Sequence, residues 1–136
     1  MLRTMAKVFG AALLAAGIMG FFSVFTPNDN LLGLFHVNAL HNLVHFSSGA
    51  VALWAGFTSV EASRKYFQIF GIIYALLTVV GIFYGNNDIL GIVAHNTADI
   101  FLHIGISGTA LILALGRSIG TLQPNKKLNL GPLLVL

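Results

Sequence analysis

Three histidines and two asparagines fall within the fifteen residues Leu31–His45, LLGLFHVNALHNLVH, of an otherwise apolar chain. Nitrogen ligands of this kind suit borderline transition ions such as zinc, iron, copper or manganese, and do not suit calcium or magnesium. The pattern returns 58 residues later. Asn28/Asn86, Leu32/Leu90, Gly33/Gly91, Asn38/Asn96, His45/His103, Ala52/Ala110 and Leu53/Leu111 are identical pairs, and at the same offset His41 meets Asp99. The first copy reads N-x-x-H-x-x-x-H and the second N-x-x-D-x-x-x-H. On a helix, side chains four residues apart share a face, so His41 and His45 point together, as do Asp99 and His103.

An ionised aspartate or an unpartnered imidazole within hydrocarbon is costly unless something compensates it. A bound cation would do so. The expected site is therefore a metal held by His41, His45, Asp99 and His103 from two facing helices. Asn38, Asn42 and Asn96 are expected around those ligands, with His36 and His95 as outer or entry residues. The same residues admit a second use, in which His45 and His103 are axial ligands of a haem or bind chlorophyll. A third leaves the histidines as a purely structural polar clasp, with the asparagines capping helix ends. No Ser-His-Asp order, phosphate loop or pair of intramembrane carboxylates appears, so the sequence gives no sign of an enzyme.

The elements that position these groups are set by composition. Only 8% of the 136 residues are charged, 57% are hydrophobic and the mean hydropathy is +0.88, against about 25% charged in soluble domains. The lipid bilayer is thus the expected surrounding. There is no cysteine, which excludes disulfides and thiolate sites. The pattern predicts one domain of four membrane helices, near 8–25, 36–59, 66–84 and 92–116, with an interfacial or loose tail at 118–136. The first is expected to be a retained helix and not a signal peptide, because no small-x-small site follows it. The turn clusters TPNDN (26–30) and GNND (85–88) separate the helices.

All seven basic residues, Arg3, Lys7, Arg64, Lys65, Arg117, Lys126 and Lys127, fall in the N-terminus, the middle connector or the tail. That places both termini in the cytoplasm of, by default, a bacterial cytoplasmic membrane, and argues against nucleic acid as a partner. The expected fold is an all-α integral membrane four-helix bundle made of two tandem hairpins related by a pseudo-twofold axis along the membrane normal. A homo-oligomer or a larger membrane complex would be its partner. The alternative function is that of a non-catalytic accessory subunit of such a complex.

Gly33-Leu34-Phe35-His36-Val37-Asn38, His41-Asn42, His45, Asn96, Ala98-Asp99 and Leu102-His103 together resemble the four-helix membrane proteins grouped as domain of unknown function 4383. The similarity runs over nearly the whole chain. Relatives often carry asparagine directly after the aspartate, where this chain has Ile100. The resemblance implies the four-helix fold and a polar site, and no reaction.

Overall fold

The structure, a computed structural model, describes residues 1–116. The tail at 118–136, with Lys126 and Lys127, lies outside the described residues, as does Arg117.

The chain folds into four helices, α1 (Leu2–Met19), α2 (Ala39–Thr58), α3 (Val60–Tyr84) and α4 (Thr97–Leu115). A hairpin of two two-residue strands, β1 (Asn30–Leu31) and β2 (Phe35–His36), precedes α2. Three helices, α1, α3 and α4, are long and apolar enough to cross a membrane. At about 1.5 Å per residue, α2 is of similar length. What lowers its hydropathy is the polar set His41, Asn42, His45, Ser47 and Ser48.

Helix ends follow local chemistry. Asn38 caps α2 by accepting the His41 N–H at 2.9 Å. Asn96 caps α4 with a reciprocal box: its side chain accepts the Asp99 N–H at 3.1 Å, and Asp99 Oδ2 accepts the Asn96 N–H at 2.9 Å. Helix α4 therefore starts at Thr97 and not near residue 92, because residues 89–93 form a tight turn closed by a bridge between Ile89 and Val93. Likewise β2 occupies Phe35–His36, so α2 starts three residues later than the sequence pattern suggests.

The first helix is displaced from the expected 8–25 to Leu2–Met19. Its basic entry is helical because Arg3 donates to the carbonyls of Gly56 (3.0 Å) and Phe57 (2.9 Å) at the end of α2. Residues 21–25 form turns beyond Gly20, ahead of a 3-10 turn at Pro27–Asp29. The expected charged connector at Glu61, Arg64 and Lys65 is instead the first turns of α3. Ser59 ends α2 and caps α3, accepting the Ala62 N–H at 2.9 Å. Arg64 donates to the Ala114 carbonyl at 3.0 Å, and Lys65 pairs with Glu61 at 2.9 Å. Cations at helix C-termini satisfy carbonyls that have no helical partner.

Helices α1 and α2 form one tight hairpin, α3 and α4 another. Glycine permits the first to close. A Cβ on Gly17 would sit 2.6 Å from Phe46 N, and one on Gly49 2.6 Å from Leu14 N. At the basic end the core is built from Ala6, Ala52, Ala55, Phe67, Phe70 and Ala110. Tyr66 is buried there and stacks on Phe70 at 4.9 Å. At the opposite end the interior is polar. Large apolar side chains such as Phe83 and Leu76 face outward, the reverse of a water-soluble arrangement and suited to lipid.

Candidate functional site

At the end remote from the basic residues the two hairpins are joined through their turns. Two Leu-Gly turns, Leu32–Gly33 and Leu90–Gly91, take positive φ at both residues (54° and 73°, 54° and 71°), the pattern of a type I′ turn. Each turn presents carbonyls to the other half. Asn38 Nδ2 donates to Ile92 O at 2.9 Å, and Asn96 Nδ2 donates to Leu34 O at 2.8 Å. These are the same bond at a 58-residue offset. They fix where α2 and α4 begin relative to one another.

Beneath these caps lie His41, His45 and His103, all buried, with one ring nitrogen from each within 4.8 Å of the others. His41 and His45 come from the first two turns of α2 and His103 from the second turn of α4. The Nδ1–H of His41 donates to Ala94 O at 2.8 Å. A carbonyl only accepts, so the neutral ring carries its proton on Nδ1 and leaves the Nε2 lone pair to accept from the His45 ring. That Nε2 lies 3.2 Å from His45 Nε2. Two imidazole nitrogens on a tetrahedral ion, each at about 2.05 Å, are separated by about 3.3 Å. The pair is already at that spacing, and a ring nitrogen of His103 lies within 4.8 Å of both rings.

His103 has no hydrogen-bond partner at either ring nitrogen among the described residues, an expensive state for a buried polar ring. Tyr74 of α3 meets it edge-on at 5.1 Å. A cavity of about 80 Å³ is bordered by His41, His45, Tyr74, His95 and His103. A second, of about 120 Å³, lies on the other side of His41 and His45 and is bordered by Asn42 and Asp99.

The remaining expected residues are placed as follows. Asp99 is fully buried. It lies outside the group of three close ligand atoms; Oδ2 is taken by the helix cap, and Oδ1 has no partner among the described residues. Asn38 and Asn96 act through the backbone as caps and cross-links. Asn42 lies directly over Gly20, at the end of α1, where a Cβ would collide with its amide. His36 sits at the rim with Nε2 3.6 Å from Asp88 Oδ1. His95 is buried above His103, ring centroids 6.3 Å apart. Burial pushes its imidazole below the usual value, and the carboxylates of Asp99 and Asp88 pull it partly back. Tyr74, Gly81 and the Ala94 carbonyl also border or orient the site and escaped sequence reasoning. The only sequence signal for Tyr74 is its i,i+4 spacing in Tyr66, Phe70, Tyr74.

Among known families, the one described as domain of unknown function (DUF4383) matches residues 3–116. The chain belongs to the DUF4383 family. No curated protein and no solved structure matches it. For this DUF4383 protein the match covers all four helices and every site residue named above.

Proposed function

We propose that this DUF4383 protein is an integral membrane protein that binds one transition-metal ion between α2 and α4. His41, His45 and His103 are its nitrogen ligands, and Asp99 stands close by as a fourth ligand or a charge partner. The observation that carries the reading is the convergence of three buried ring nitrogens, one of them with its tautomer fixed by Ala94 so that its lone pair faces the others. All four helices span the bilayer in this reading. The basic ends of the helices lie on the cytoplasmic side and the histidine cluster in the opposite half. The reciprocal Asn38 and Asn96 bonds and the repeated Leu-Gly turns support descent from a duplicated hairpin.

Room at the site favours an ion over a tetrapyrrole. The cavities of about 80 and 120 Å³ suit an ion with a few waters, whereas pockets for larger organic ligands run to about 300–1,000 Å³.

The test is elemental analysis with an absorption spectrum on detergent-purified protein, beside a His45→Ala, His103→Ala variant. About one equivalent of metal, absent from the variant, is expected. A Soret or chlorophyll band lost in the variant would replace the ion with a tetrapyrrole. Neither metal nor chromophore would leave the histidines as a structural clasp, and would turn attention to a larger complex.

A further inference from the structure

The outer end holds polar groups that the three-histidine cluster does not use. His95 is 1% exposed and its Nε2 has no partner among the described residues; Asp99 Oδ1 is in the same condition. Two buried polar atoms without a protein partner call for a counterpart. Toward solvent stands the His36–Asp88 pair, whose side chains are 36% and 39% exposed. Toward the interior, His95 stacks over His103 and borders the cavity shared with His41 and His45. The first cavity is bordered by Ile89, next to Asp88 in the chain, as well as by His95, and the second by Asp99. A file of cation-binding atoms thus leads from an exposed rim, through His95 and Asp99, to the cluster.

Gly81 of α3 clears the space for this ring: a Cβ there would lie 2.6 Å from His95 Nε2. The ring sits on the segment before α4, ahead of the Asn96 cap, and is not tied into a helix. Its position suits passing contact with an ion. It does not suit permanent ligation, since His95 is outside the group of converging ligand atoms.

We infer that His95 hands a divalent transition-metal cation from the exposed His36–Asp88 pair to the three-histidine cluster, with Asp99 balancing its charge on the way. The inference rests on the metal reading of the cluster and adds the route and the side from which the ion arrives. An ion held by fixed ligands alone would need no polar file. A carboxylate at the mouth also raises the local cation concentration, an effect that salt screens.

The experiment loads metal-free, detergent-purified protein with Zn²⁺ or Co²⁺. Uptake is followed in time against a chromogenic chelator, and stoichiometry and affinity are read at equilibrium. For His95→Leu, loading is expected to slow about tenfold while affinity changes by less than about threefold, a split that loss of a ligand would not give. Asp88→Asn, at the exposed rim, is expected to slow loading about threefold at low salt, with the difference vanishing at high salt. Loading of His95→Leu at the wild-type rate would overturn the inference. So would loss of the bound equivalent, which would make His95 a ligand, or a second equivalent in the wild type, which would make His95 and Asp99 a separate site. Should His95→Leu not fold, Asp88→Asn decides, and wild-type loading at low salt would then overturn it. A wild-type protein that takes up no ion at all sinks the cluster reading itself, independently of the variants.

Discussion

Asn38 and Asn96 each use both ends of one amide: the oxygen closes a helix start, and the nitrogen reaches across to the other hairpin. Losing a cap costs about 0.5–2 kcal/mol, and losing the cross-link about another 1. Asn38→Ala and Asn96→Ala should therefore each destabilise the protein by about 1–3 kcal/mol in detergent melts. The double variant should lose less than the sum, since either change already loosens the same seam. His41 gives a second expectation at this scale. Metal ligation needs the neutral ring, so protons compete with the ion. Binding should weaken as pH falls, since each ligand ring that takes a proton is lost to the ion. Equilibrium dialysis from about pH 7.5 down to the lowest pH at which the protein stays folded checks the sign. An affinity unchanged by a drop that protonates free and buried imidazole alike would remove histidine from the ligand set.

Helices α1 and α2 touch through glycine, and that contact is specific. Gly17→Val would drive a side chain into the α2 backbone at Phe46, whereas nothing lies within 4 Å of a Cβ on Gly105. The first change should cost about 1–3 kcal/mol or prevent assembly, while Gly105→Ala should be neutral or slightly stabilising. Size-exclusion profiles and melting in detergent distinguish them. The same elements show what a sequence discloses. Polar motifs at i,i+4 spacing placed His41, His45 and His103 correctly on two helices, because helical periodicity is local. The start of α1 was hidden, since Arg3 is stabilised by carbonyls more than fifty positions away. So was the absence of a linker after α2, because Ser59 closes one helix and opens the next. That Asp99 divides itself between a cap and an unpaired oxygen was likewise not legible, being a matter of which atom points where.

Across the described residues, basic charge is sorted to one end. Arg3, Lys7, Arg64 and Lys65 cluster where α1 begins and α2 meets α3, while Asp29 and Asp88 lie beyond the opposite ends. The chain has no cysteine, so single introduced thiols report topology cleanly. In intact cells, Asn28→Cys and Asn86→Cys should react with an impermeant maleimide, and Lys65→Cys should react only after lysis. The reverse pattern would invert the protein and place the histidine cluster in the cytoplasmic half.

The junction at Ser59 has a mechanical consequence. The two hairpins are joined at the basic end with no slack, and Ser63 Oγ reinforces the joint by reaching back to the Ala55 carbonyl at 3.1 Å. At the far end they are held by two side-chain amide hydrogen bonds, the His41–Ala94 hydrogen bond and a rim pair. Such a body is expected to part like a clothes peg, stiff at the spring and yielding at the jaws. Any parting would then fall at the end where the histidines sit, and what reached them that way would enter from one face and leave by the same one.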